Sequence, residues 1–154
     1  MTLARRPLLV GEDNPYSAAS HHALWCEPRR SAGGRLCYDI LGCSSEMEYA
    51  RLFRRTNLCA RRWVASEARA RVAEIVGDET NEKIILLGAK VANAFGFVFL
   101  PFTAPVMFPE MGKIFIDDRF VILPHPSGRN RSWSNPAAVP AARAALRAAG
   151  VVLP

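Results

Sequence analysis

The chain has 154 residues, half of them hydrophobic, and a formal charge of +6 carried mostly by arginine. That length suits one domain spanning 1–154, with enough apolar content for one substantial core. No uninterrupted apolar run is long enough to cross a bilayer, and the basic start Met1 to Pro7 lacks the apolar segment of a signal peptide, so a cytoplasmic monomer with no membrane partner is expected.

Basic residues cluster at Arg29-Arg30, Arg51-Arg54-Arg55, Arg61-Arg62, Arg69-Arg71 and Arg129-Arg131. Such a balance favours a polyanionic partner, because phosphates give affinity through counterion release. The plainer alternative is arginine scattered over solvated faces. Cys26, Cys37, Cys43 and Cys59 form no CxxC pair, so free buried thiols are expected rather than a metal site.

In chain order, Leu8-Leu9-Val10 reads as a buried strand ending at Gly11. A polar loop, Glu12-Asp13-Asn14-Pro15-Tyr16-Ser17, follows it directly. The stretch from His21 to Arg30 has no clear period, and Trp25 within it suits a core edge. Ser31-Ala32-Gly33-Gly34 reads as a helix entry, with Leu36, Cys37, Ile40 and Leu41 at helical spacing and Gly42 as the end.

Ser45 suits the N-cap of a second helix, with Tyr49, Leu52 and Phe53 on its apolar face and Arg51, Arg54 and Arg55 on its polar side. This helix is expected to stop near Thr56-Asn57-Leu58-Cys59, where Asn57 is either a helix-ending residue or a base-reading amide. Ser66 to Val76 predicts an amphipathic helix with Ala68, Val72, Ile75 and Val76 inward. Lys83 to Gly88 predicts a buried strand and Ala89 to Phe95 a helix behind it, the βα unit of a parallel sheet.

Phe97 to Phe108 is apolar and proline-rich, a loop or an irregular edge, and its role through Met111 is open. Lys113 to Ile116 with Asp117-Asp118 is either a hairpin or a loop leading to the last strand, Phe120 to Leu123. Ser134-Asn135-Pro136 suits the start of a terminal helix over Ala137 to Ala149, capped by Gly150. Strands therefore alternate with helices. The expected fold is α/β, a three-layer α/β/α arrangement around a small, mostly parallel four-stranded sheet.

Two loops leave the carboxyl ends of strands, at Gly11 and at Leu123-Pro124-His125-Pro126-Ser127-Gly128-Arg129-Asn130-Arg131. Open α/β sheets bind ligands at such ends. Taken alone, each polar residue there is a turn, cap or core residue.

Taken together and in order, the motifs resemble the uracil-DNA glycosylase superfamily. Gly11-Glu12-Asp13-Asn14-Pro15-Tyr16 is similar to its first motif, with one more residue before the proline than Gly-Gln-Asp-Pro. His125-Pro126-Ser127 is similar to its second motif, and Thr56-Asn57-Leu58 sits where that superfamily places a uracil-reading Asn. Ser31-Ala32-Gly33-Gly34-Arg35-Leu36 resembles the helix start of the iron–sulfur branch, and Ile84 to Ala92 resembles the third strand and helix. The CxxC pair of that branch is lacking, so no iron–sulfur cluster, cofactor or metal is expected.

The resemblance implies a monofunctional DNA glycosylase that removes uracil or a related damaged or modified base in base excision repair, with single- or double-stranded DNA as partner. In it His125 stabilises the leaving base near O2, and Asp13 or Asn14 holds the attacking water. Asn57 reads the base, Tyr16 presses on C5, and Trp25 stacks on the base. Ser127, Arg129 and Arg131 hold phosphates, and the wedge into the duplex falls to Arg129 or Asn130. Two other readings fit the same residues: a catalytically silent nucleic-acid-binding module of this fold, and an enzyme cleaving a different glycosidic bond.

Overall fold

The apolar runs at Leu8, Ile84 and Phe120 are strands, and in each of them alternate residues point to opposite faces of one sheet. In this computed structural model the described residues are 5–97, 115–116 and 119–154. The strands are β1 (Leu8–Gly11), β2 (Arg54–Asn57), β3 (Ile84–Leu87), β4 (Phe115–Ile116) and β5 (Phe120–Leu123). Their order is β2-β1-β3-β5-β4. The pairs β1–β2, β1–β3 and β3–β5 are parallel, so four strands form the parallel sheet expected. The two-residue β4 adds an antiparallel edge, Phe115 opposite Ile122 and Ile116 opposite Val121.

The helices are α1 (Ala32–Gly34), α2 (Glu46–Leu52), α3 (Ala65–Gly77), α4 (Ala89–Ala94) and α5 (Ala138–Ala148). Leu9, Ile85, Leu87, Val121 and Leu123 face one layer, packed on Leu36, Tyr49, Phe53 and the alanine face of α5. Leu8, Val10, Ile84, Leu86 and Ile122 face the other, packed on Ala68 and Ile75 of α3 and Val91 and Ala92 of α4. The fold is thus a three-layer α/β/α arrangement. Each fully buried Leu or Ile contributes about 1.5–3 kcal/mol, so the two faces of β1 and β3 hold the molecule together.

Four expectations change. The helix expected to run on toward Asn57 stops at Leu52, because Phe53 turns extended (φ −131, ψ 146) to bury its ring. Arg54 to Asn57 then pair with β1 as an edge strand, and their polar side chains hid that strand behind a helical pattern. The helix that Ser31 caps makes one α turn and then widens into a π-helix over Arg35–Ile40. That widening keeps Leu36, Cys37 and Ile40 all buried. Val76 of α3 is 42% exposed rather than inward, since the next buried position after Ala68 is Ile75. Pro136 precedes α5 instead of opening it, and the Asn135 side chain accepts from the Ala137 N–H at 2.9 Å.

The four cysteines are free and buried, as expected. Cys26, Cys37 and Cys43 lie together in one layer, where the Cys37 side chain hydrogen-bonds to those of Cys43 and Cys26, and Cys59 lies in the other layer. No helix among the described residues is long and apolar enough to cross a membrane. Most of the proline-rich stretch (98–111), Lys113, Ile114, Asp117 and Asp118 lie outside the described residues.

Candidate functional site

β1 is flanked by β2 on one side and β3 on the other, so the carboxyl end of β1 is where the chain's crossovers diverge, the usual place for a ligand. Gly11 and Asn57 are Cα partners there. Beyond them the two strand exits stay zipped together: Leu58 N–H donates to Gly11 O (3.0 Å), Cys59 N–H to Glu12 O (2.9 Å) and Asn14 N–H to Ala60 O (3.2 Å).

Asn14 is a turn residue. Its Oδ1 accepts from Tyr16 N–H at 3.0 Å, an Asx turn, and its Nδ2 donates to His22 O at 3.3 Å. Ser17 Oγ continues the network to His22 Nδ1 at 2.8 Å and accepts from Ala19 N–H at 3.2 Å. Asp13, half-buried, has no side-chain partner among the described residues, so its carboxylate is available to a ligand or water.

Asp13, Asn14, Tyr16, Leu24, Trp25 and Gly33 line one cavity of about 760 Å³. Tyr16 stands at its mouth, 94% exposed, rather than packed in the core. Trp25 is half-buried, and the Arg55 guanidinium lies 4.8 Å from its ring centroid and 5.2 Å from that of Tyr49. Gly33 is required in this wall: a side chain on it would run into the carbonyl groups of Leu24 and Trp25. Gly33 therefore lets the first turn of α1 pack directly on the Leu24–Trp25 backbone, and Gly34 lets it pack on that of Pro28–Arg29.

Asn57 lines a second, adjoining cavity of about 320 Å³ with Thr56, Arg71 and Glu74, and Asn14 lines both. The carbonyl oxygen Oδ1 of Asn57 is buried and accepts no hydrogen bond, the one such side-chain atom among the described residues. An unmet buried acceptor costs about 1–3 kcal/mol, and such groups call for a partner.

His125 follows β5 and lies against the first residue after β3, where a side chain on Gly88 would press on His125 Cβ at 3.1 Å. The Ser127 backbone N–H donates to His125 Nδ1 at 3.1 Å. With Nδ1 accepting, the ring proton sits on Nε2 and makes that atom a donor. Trp133 Nε1 donates to the His125 carbonyl at 2.9 Å and holds the loop from behind. His125 shares the carboxyl edge of the sheet with Asp13 and Asn57 but lines neither of their cavities.

Ser127, half-buried, lines a small hollow of about 160 Å³ with Arg35 and Trp133. Arg129 and Arg131 are exposed. The Asn130 side chain accepts from Ser132 N–H at 3.0 Å and so caps the 3-10 turn Arg131–Ser134. Of the two residues expected to wedge into a duplex, Arg129 is the one without such a local task.

One group among the described residues brings metal-type ligand atoms together: Cys26, Glu27 and Glu46, all within 4.8 Å of one another. Burial raises the Cys26 thiol, which disfavours the thiolate a metal needs. Cys37 is raised and Cys43 lowered by the hydrogen bond between their side chains.

Two residues of the site were not picked out as site residues by the sequence, Leu24 and Arg55. Leu24 owes its place to a backbone conformation, and Arg55 to a strand hidden by its polar composition. The chain matches no protein-family model, no curated protein and no solved structure.

Proposed function

We propose that this protein is a monofunctional DNA glycosylase of the uracil-DNA glycosylase type, hydrolysing the N-glycosidic bond of uracil or a related base in DNA. The observation that carries the reading is the buried Oδ1 of Asn57 at the carboxyl end of the sheet, which has no hydrogen-bond partner among the described residues. An acceptor in that position suits the N3–H of uracil, and the same amide's N–H donors suit O4, a pattern that cytosine does not offer.

Excision needs the base out of the stack, an attacking water and a place for the leaving electrons. Water adds to C1′ as the bond from C1′ to N1 breaks. The bonding electrons move onto the pyrimidine and toward O2, and the water's proton passes to the base or its surroundings. Asp13, half-buried and without a side-chain partner among the described residues, is suited to hold the water and to stabilise the positive sugar. Asn14 is spent on its turn, which favours Asp13 of the two. His125 presents an Nε2 donor for O2, because Ser127 N–H occupies Nδ1. A preorganised donor of this kind supplies about 3 kcal/mol to the transition state. Trp25, stiffened by Arg55, offers a face for the base. Exposed Arg129 and Arg131 suit phosphates, in keeping with the +6 charge.

A silent nucleic-acid-binding module is favoured by one observation: His125 does not line the cavity that Asp13 lines. The two readings separate on labelled single- and double-stranded oligonucleotides carrying uracil, hypoxanthine, xanthine or 5-hydroxymethyluracil. Alkali-revealed scission that depends on His125 and Asp13 supports the enzyme. Salt-sensitive binding with no scission on any lesion supports the silent module.

A further inference from the structure

Leu24 has φ +52, the only positive φ at a non-glycine residue among those described. A branched side chain is strained there, and such strain persists only where the surroundings enforce it. Here they do. Tyr49 Oη donates to Leu24 O at 3.1 Å, Arg55 donates to Ala23 O at 3.2 Å, and Trp25 N–H donates to His22 O at 3.1 Å. Gly33 closes on the Leu24 and Trp25 carbonyls from the α1 side.

The clamped backbone aims the Leu24 side chain at the floor of the site. Its Cδ2 and Cγ lie 2.9 and 3.1 Å from the point that a Cβ on Gly11 would occupy. Asn57 Oδ1 crowds that same point. Leu24 also lines the large cavity, which Asn57 does not. Its isobutyl group therefore borders both the cavity holding Asp13 and Trp25 and the point beside Gly11 that the buried acceptor of Asn57 crowds. Tyr16 lines the same cavity but stands 94% exposed at its mouth.

We propose that Leu24 is the specificity-determining side chain of the site, setting how large a base can enter far enough to meet Asn57. The inference rests on the reading of the site as a base pocket. A ring whose N–H edge faces Asn57 lies against the Leu24 methyl groups, and a substituent on that ring competes with them for space. The backbone cannot retreat, because Tyr49, Arg55 and Gly33 hold it.

The test titrates the full-length protein with uracil, thymine and 5-hydroxymethyluracil as free bases, followed by tryptophan fluorescence. It compares wild type with Leu24→Gly and Leu24→Asn, since glycine and asparagine both accept a left-handed backbone. Circular dichroism melts verify that the variants are folded. Wild type is expected to prefer uracil, and Leu24→Gly to lose that preference by about tenfold or more, the usual worth of one or two carbons in a pocket. An unchanged preference, with uracil still bound, overturns the role of Leu24 and leaves the base pocket standing. Binding of no base by any of the three proteins overturns the pocket and the inference together. Loss of fold in both variants makes Leu24 a structural residue and overturns its proposed role.

Discussion

The Asn57 carbonyl oxygen fills the space that a side chain on Gly11 would need, across the parallel pair β1–β2. The glycine that ends β1 is thus the reason an amide can sit at this edge with its acceptor buried. Gly11→Ala must displace Asn57 or the strand. Urea unfolding should show a loss of about 1–3 kcal/mol, typical of an overpacked core, and base binding should fall with it. A variant as stable as wild type with binding intact would mean that Asn57 is free to move and is not the positioned reader.

Asn57 itself should behave as a residue kept for ligand rather than for stability. Its Oδ1 is buried without a donor among the described residues, so removing it relieves a cost of about 1–3 kcal/mol. Asn57→Ala should unfold at a urea concentration equal to or above that of wild type while losing lesion scission. A clear drop in the midpoint would show that the amide has a structural partner.

The neighbours Asp13 and Asn14 should separate by phenotype. Asn14→Ala removes both the Asx turn and the bond to His22 O, and should cost about 1 kcal/mol per lost bond. Asp13→Asn should leave the melting curve near that of wild type and slow scission. The reverse pattern, with Asn14→Ala fully stable and inactive, would move the water to Asn14.

Acid stability offers a test away from the site. Ser45 caps α2, its Oγ accepting from Glu48 N–H at 3.1 Å. In return the Ser44 N–H and hydroxyl donate to Glu48 Oε2 at 2.7 and 2.8 Å, a variant of the capping box. Those bonds hold the Glu48 carboxyl below its ordinary value of 4.5. The folded state therefore gains stability above that ordinary value and loses it as pH falls through the lower folded one. Glu48→Gln should be less stable than wild type at neutral pH, with the gap closing in acid. A gap that stays constant with pH would show that the charge plays no part.

Much of this architecture was legible in the chain. β1, β3 and β5 are uniform apolar runs because strands buried on both faces need no alternation. Ser31 and Ser45 announced their helices because an N-cap hydroxyl answers a local need of the backbone. β2 was not legible: Arg54 and Arg55 spend their charge on Asn81, Ala23 O and the Trp25 ring, contacts set by tertiary structure. In the site, Asp13, Asn57 and His125 could be picked out as candidates by residue type and order. The turn at Asn14 is local and was legible as Asn-Pro turn chemistry, whereas the exposure of Tyr16 and the left-handed Leu24 depend on packing between distant segments, and no local pattern encodes them.

The most direct measurement is the single-turnover rate of base release from a uracil-containing oligonucleotide by wild type and His125→Ala, with alkali revealing the abasic sites. The Ser127–His125 bond leaves Nε2 as the donor to the leaving base. Wild type should release uracil, and His125→Ala should be slower by about 10²–10³-fold while still binding the oligonucleotide. Equal rates for the two proteins, or no release by wild type from any of the four lesions, would contradict the account.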